Sequence, residues 1–94
     1  MLYMVIHKHR GAECPIDDPS PVEKIASDEH AAACGVKVLG RYVAPPEHRL
    51  FFVLEADEYE KIIMFLHPMA KIGTHRIHPV ADLREVNDML KRQA

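Results

Sequence analysis

The sequence predicts an α+β protein with seven elements in the order βαββαβα. Two observations lead to this class. Four short runs rich in β-branched, aromatic and other apolar residues have the length of strands. Between and after them, an N-cap side chain followed three residues later by glutamate marks the start of a helix at three places. The 94 residues suit one domain, residues 1–94, with a core at 2–80 and a C-terminal helix at 81–94.

The first strand and the first helix have clear boundaries in the sequence. The strand pattern runs from Leu2 to His9. The helix is predicted from Ser20 to about Cys34, because Ser20 and Glu23 form a capping signature around a proline at the first helical position. Gly35 is a natural helix stop.

The next two strands form a predicted hairpin. Val36–Val43 and Arg49–Glu55 carry the strand patterns, and a loop at Ala44–His48 with two adjacent prolines joins them. The hairpin follows the first helix directly, so its first strand lies parallel to the strand at the N-terminus in a split βαβ arrangement.

The second half of the chain repeats the helix and strand pattern. A helix is predicted from Asp57 to about His67, where Pro68 ends it. The fourth strand, Thr74–Val80, contains Pro79, which indicates an edge strand or a strand end. A last helix follows at Leu83–Arg92. The whole order is that of the ferredoxin-like fold, a four-stranded antiparallel sheet with a C-terminal helix added.

Composition excludes several classes of function. A formal charge of −2 and a pI near 6.4 argue against nucleic-acid binding. We see neither a signal peptide nor an apolar run long enough for a membrane span, so we expect a soluble, cytoplasmic protein. Cys14 and Cys34 lie near opposite ends of the predicted first helix, roughly 20 Å apart, which excludes an internal disulfide between them.

Three stretches resemble a known superfamily: MLYMVIHKH, CGVKVLGRYVAPPEHRLFFVLEAD and HRIHPV. With the element order, they are similar to small members of the ferredoxin-like dimeric α/β-barrel proteins. This superfamily includes heme-degrading and quinol-oxidising monooxygenases and a small nickel-binding type. The resemblance implies a homodimer whose two sheets face each other, and it assigns no activity.

Seven histidines are many for so short a chain. In the predicted topology His7, His9, His48, His67 and His75 all lie at the end of the sheet where the first strand ends, together with Cys14. If Leu2 pairs with Val80, His7 lies opposite His75 on one face, with Cβ atoms about 5 Å apart. This register decides whether the imidazoles meet, because a slip of one residue would turn His75 to the other face.

We therefore predict a metal site of three imidazoles, His7, His9 and His75, completed by His67 or Cys14. Nickel, copper and zinc all accept imidazole and thiolate ligands. Each residue also has a structural alternative: the histidine pair as surface or interface imidazoles, His67 as a cation at a helix C-terminus, and Cys14 as a loop residue.

The remaining histidines and the second cysteine have simpler interpretations. His48 is expected to be solvated in its loop. His30 and Cys34 are expected to serve helix packing and the surface.

Three functions remain open from the sequence. The first is a homodimer that binds nickel, copper or zinc in metal handling or sensing. The second is a small dimeric enzyme, monooxygenase-like or heme-binding, with His7 or His75 as general base or axial ligand. The third is a structural dimer whose C-terminal helix binds another protein. The sequence assigns no catalytic residue and leaves open whether the protein is an enzyme.

Overall fold

A computed structural model of the protein describes residues 1–93. Four strands and four helices form the fold, with short 3-10 turns at Gly11–Glu13, Pro45–Glu47 and His67–Met69. The predicted α+β class and the ferredoxin-like order are confirmed. In chain order the elements are β1 (Leu2–Lys8), α1 (Ser20–Ala26), α2 (Asp28–Cys34), β2 (Lys37–Ala44), β3 (Arg49–Glu55), α3 (Tyr59–Leu66), β4 (Thr74–Val80) and α4 (Leu83–Arg92).

The four strands form one antiparallel sheet in the order β2-β3-β1-β4. Strand β4 lies at an edge, as Pro79 indicates, because an edge strand tolerates a residue that cannot donate a ladder hydrogen bond. Leu2 pairs with Val80 and His7 pairs with His75. The register on which the predicted imidazole cluster depended is therefore confirmed.

The prediction of one continuous helix from Ser20 to Cys34 is wrong. The chain leaves the helical conformation at Ser27, whose side chain accepts a hydrogen bond from the backbone N–H of His30 at 3.0 Å and so caps α2. Arg41 of β2 holds the break by donating to the carbonyls of Ile25 at 3.2 Å and Ser27 at 3.3 Å. A capping residue and a distant arginine together outweigh the helical periodicity.

The helix predicted from Asp57 to about His67 is α3 in the structure, and it is shorter than predicted. It begins at Tyr59, and the carboxylate of Asp57 forms an ion pair with Lys61 at 2.7 Å. The last helix matches its prediction, and the side chain of Asp82 caps it by accepting hydrogen bonds from two backbone N–H groups of the first turn.

Helices α1 to α3 cover one face of the sheet. Alternate residues of the strands face them, and the ring of Phe52 packs edge-on against Phe65 with centroids 5.9 Å apart. Cys14 and Cys34 are both free cysteines. The buried apolar core consists of Tyr3, Val5, Ile25, Ala31, Val36, Phe52, Leu54, Ala56, Ile62, Phe65, Leu66 and Met69.

The opposite face of the sheet, called the bare face below, is left uncovered by the helices of residues 1–93. Met4 and Tyr42 are among its exposed apolar side chains. Helix α4 buries none of its described residues, and Leu83 is 81% exposed. Within residues 1–93, every helix is too short or too polar to cross a membrane.

Candidate metal centre

Two histidines occupy core positions at the end of β1. Strand alternation places Tyr3, Val5 and His7 on the helix-covered face, and His9 continues the series just beyond the strand. His7 is 0% exposed and His9 is 7% exposed. Imidazoles are rarely so buried without partners, so their hydrogen bonds decide what they can do.

His75, His7 and His9 form a chain of contacting imidazoles. Nε2 of His75 lies 3.0 Å from Nδ1 of His7, and Nε2 of His7 lies 2.9 Å from Nδ1 of His9. Both ring nitrogens of His7 are thus occupied by neighbouring rings. His7 cannot bind a metal without breaking this chain.

One ring nitrogen of His9 lacks the hydrogen bond that its other nitrogen and both nitrogens of His7 make. This Nε2 atom is buried and has no hydrogen-bond partner among residues 1–93. An unsatisfied buried polar atom costs about 1–3 kcal/mol, so such an atom in a folded protein needs an explanation. A metal ion would use the lone pair that this nitrogen offers.

Two further donors lie beside His9. One ligand atom each from His9, Cys14 and His48 forms a group within which all separations are at most 4.8 Å. Cys14 follows the 3-10 turn at Gly11–Glu13, and its N–H donates to the Gly11 carbonyl at 3.2 Å. The three donors come from three separate chain segments, which only the folded protein brings together.

The hairpin loop holds His48 in place. The backbone carbonyl of His48 accepts a hydrogen bond from the His9 N–H at 3.1 Å, and the imidazole rings of His48 and His9 have centroids 5.2 Å apart. His48 has a φ of 53°, in the left-handed region that non-glycine residues rarely adopt. Strained backbone of this kind is concentrated at functional sites.

Gly73 supports His9 from the other side. Its φ is 64°, and a Cβ placed there would meet the Lys8 carbonyl oxygen at 2.1 Å and the Cβ of His9 at 2.8 Å. Only glycine allows the turn before β4 to approach His9 so closely. The position of His9 therefore depends on glycine at residue 73.

Burial keeps these imidazoles neutral. Desolvation, followed by the neighbouring His75 and His9, lowers the pKa of His7 to about 4. Desolvation, with His48 as the next cause, lowers the pKa of His9, and desolvation lowers that of His75. A neutral imidazole is the form that binds metal.

The hydrogen-bond chain has one tautomer assignment that suits metal binding. If Nε2 of His9 is the bare ligand nitrogen, its Nδ1 carries the proton and donates to Nε2 of His7. Nδ1 of His7 then donates to Nε2 of His75. In the opposite assignment His9 would bury an N–H on Nε2 with no acceptor, which is the costlier arrangement.

The donor set suits a transition metal. Two imidazoles and a thiolate are ligands of zinc, copper and nickel, and poor ligands of magnesium or calcium. Donor atoms around a tetrahedral zinc ion lie about 3.3–3.7 Å apart, given its bond lengths of about 2.0–2.3 Å. The group would therefore need to close by at most about 1.5 Å to reach these separations.

An apolar pocket of about 330 Å³ adjoins the group. His9, Cys14 and His48 all line it, and its remaining walls are mainly proline and aliphatic side chains, including Ile16 and Val22. Since the group supplies three protein ligands, a metal held there would have a position to share with water or a small molecule.

The structure brings together part of the predicted site. His9 and Cys14 belong to the three-residue group, and His7 and His75 adjoin it through the imidazole chain. His67 is exposed, lines a recess with His75 and does not belong to the three-residue group.

His48 is the residue that the sequence interpretation missed. It is half-buried and contacts His9, so the expectation of a solvated side chain is wrong. The signal was the pairing of β1 with β3, in which Lys8 lies opposite Arg49 and the next positions outward are His9 and His48. His30 behaves as expected: its ring donates to the Phe65 carbonyl at 2.8 Å.

Fold and site together define a small α+β protein with a candidate transition-metal site. The chain belongs to the family described as "Domain of unknown function (DUF3303)", whose model matches residues 1–94. No curated protein sequence matches the chain.

Proposed function

We propose that this protein binds a transition metal ion through His9, Cys14 and His48 and acts in metal handling or sensing. The observation that carries the proposal is the buried, unpartnered Nε2 of His9 beside a thiol and a second imidazole. The ligand set of the sequence interpretation thereby changes: His48 replaces His7, His67 and His75 in direct binding.

His7 and His75 have a supporting role in this proposal. A histidine ligand in a metal site usually donates its second ring N–H to an outer partner, which fixes its tautomer and orientation. His7 is that partner for His9, and His75 in turn orients His7. The imidazole chain thus prepares one nitrogen of His9 for the metal.

We propose nickel, copper or zinc as the ion, and the cytoplasm as the compartment. A thiolate and two imidazoles bind all three metals, with copper favoured by intrinsic affinity. A reducing compartment would keep Cys14 available as a ligand.

Cobalt(II) titration of the untagged protein tests the site directly. We expect one ion per chain and a thiolate-to-cobalt charge-transfer band. Cys14→Ser removes the thiolate and should abolish this band, whereas Cys34→Ser, the matched control, should retain it. A band that persists in Cys14→Ser, or no stoichiometric binding of cobalt, zinc, nickel or copper by native mass spectrometry, would refute the proposal.

We also propose that the protein is a homodimer formed through its bare sheet face. An exposed apolar face on so small a domain favours a partner, and a second copy is the partner that the superfamily resemblance implies. Met4→Glu, on that face, should convert the dimer to a monomer by native mass. Leu83→Glu on α4 is the control; if it alone dissociates the dimer, the helix forms the interface instead.

The apolar pocket favours a second candidate function. A metal with an exchangeable position beside such a pocket could act on a small apolar substrate, as in the enzyme alternative. A change in the cobalt spectrum on adding a thiol with a short alkyl chain, absent in a Val22→Asp variant that still binds cobalt, would favour this function over metal storage.

A further inference from the structure

The bare face of the sheet carries a recess lined by three cations. Lys8 of β1, Arg49 of β3 and Arg76 of β4 surround about 310 Å³, together with Thr74 and Ile6. Among the described residues, the lining includes no acidic side chain. The chain as a whole has a net charge of −2, so this concentration of positive charge is local.

Strand pairing forces these cations together. Lys8 lies opposite both Arg49 and Thr74, and Ile6 lies opposite Arg76. Directly opposite side chains have Cβ atoms about 5 Å apart, where like charges destabilise a sheet. The fold therefore holds a cation pair in a geometry that a bound anion would stabilise.

Much of the hydrogen-bonding capacity in this recess is uncommitted. Lys8 donates to the carbonyl of Glu47 at 3.1 Å, and Arg49 lies 3.5 Å from the carboxylate of Glu47, which is 59% exposed. The Nε atom of Arg49 has no partner within residues 1–93; because this atom is buried, a bound anion would reach it only after the side chain rotates. An arginine fork with a free donor is the group that proteins use for carboxylates and phosphates.

We infer that this recess binds an oxyanion, the phosphate or carboxylate group of a small molecule. Lys8 and Arg76 supply charge, Arg49 and Thr74 supply directed donors, and Ile6 gives an apolar wall for the rest of the ligand. The recess lies at one end of the bare face and leaves the apolar centre to the proposed dimer. The metal site lies on the opposite face, and Arg49 is the residue that lines both this recess and the apolar pocket beside the metal site.

Calorimetric titration with inorganic phosphate tests the inference on untagged, chelator-treated protein at constant ionic strength. We expect one phosphate per chain and at least about tenfold weaker binding in Arg76→Gln, which loses a charge-assisted hydrogen bond. Arg84→Gln, an exposed arginine on α4, is the matched control and should bind as the unmodified chain does. Sodium acetate, titrated in the same way, separates carboxylate from phosphate as the preferred group.

The melting temperature of each variant without phosphate shows whether a loss of binding is due to misfolding. Arg76→Gln and the second variant, Lys8→Gln, should melt at the same or a higher temperature, because each relieves repulsion between cations. Equal phosphate affinity in Arg76→Gln and Arg84→Gln would overturn the inference. The absence of both phosphate and acetate binding would also overturn it. If Arg76→Gln then dissociates the dimer, the cations instead serve the contact with the second copy.

Discussion

The same end of one sheet carries opposite chemistry on its two faces. On the helix-covered face, His7, His9 and His75 are neutral imidazoles in mutual contact. On the bare face, their neighbours Lys8 and Arg76 have cationic side chains. Strand alternation separates the two sets by a single residue. The difference in charge follows from residue type, and burial adds to it on the covered face because desolvation favours the neutral imidazole.

Residue type and burial together make one face suit a cation and the other an anion. A neutral imidazole offers a lone pair, and among the three rings His9 has a buried nitrogen without a hydrogen-bond partner. Lysine and arginine at the open surface keep their protons and suit an anion. Each variant below should change the behaviour of one face and leave the other unchanged.

Removing the His48 imidazole should have the largest effect. Asparagine tolerates the left-handed backbone at this position, so His48→Asn removes the ligand and keeps the loop. We expect zinc affinity to fall by more than about 100-fold, beyond the loss typical of an outer-shell change. A competition titration with a chromophoric chelator measures it, with His78→Asn on the bare face as control. Equal affinities would exclude His48 as a ligand.

Acid should destabilise the metal-free protein. The folded pKa of His7 is lowered to about 4 from 6.5, so the unfolded chain binds a proton in this window that the folded chain does not. Stability is full above pH 6.5, falls as the pH decreases towards 4, and loses at most ~3 kcal/mol from this group. Urea unfolding across this range measures the loss. In His7→Gln the slope should be shallower; an unchanged slope would contradict the assignment.

A side chain at Gly73 should disturb the metal face. Gly73→Ala places a methyl group against the Lys8 carbonyl oxygen and His9 and requires a positive φ. We expect a loss of ~2 kcal/mol in the free energy of unfolding, typical of overpacking and backbone strain. Gly11→Ala is the control, because its added Cβ would lie 3.8 Å from the nearest atom. If both variants unfold alike, Gly73 has no special role.

Breaking the imidazole chain at its outer end should have a smaller effect. His75→Leu removes the acceptor that orients His7 and should weaken zinc binding about tenfold, the lower limit for outer-shell substitutions. His75→Gln keeps an acceptor and should recover most of the affinity. Affinities that fall equally in both variants would indicate that His75 is itself a ligand, as the sequence interpretation held.

The smallest expected effect concerns the bare face. Lys8→Gln should change zinc affinity less than about twofold, because its side chain points away from His9 and exposed charges act weakly in salt. The same chelator competition measures it. A larger change would show that the two faces are coupled, in which case the phosphate and zinc sites would have to be treated as one.

Local patterns predicted most of the fold. The bounds of β3, β4 and α4 follow from strand patterns and from the capping residue Asp82, and each matches the structure. The break at Ser27 was missed because it depends on Arg41, which lies 14 residues further along the chain and meets the helix end only after folding. Periodicity within one segment carries no information about such a contact.

The part of the candidate site that depends on strand pairing was predictable from the sequence. Opposed positions in β1 and β4 placed His75 beside His7, and the structure confirms that contact. Pairing of β1 with β3 also places His48 beside His9, but the left-handed backbone and the burial of His48 depend on packing, which a sequence pattern does not fix. Likewise, both nitrogens of His7 contact neighbouring rings because of the orientation of its imidazole, and packing in the folded protein determines that orientation.

X-ray absorption at the zinc edge of the untagged, zinc-loaded protein tests the proposed metal centre most directly. We predict one sulfur neighbour at about 2.3 Å and at least two imidazole nitrogens at about 2.0–2.1 Å. The sulfur should vanish in Cys14→Ser and persist in Cys34→Ser. A shell of nitrogen and oxygen without sulfur in the unmodified protein would contradict a site formed by His9, Cys14 and His48.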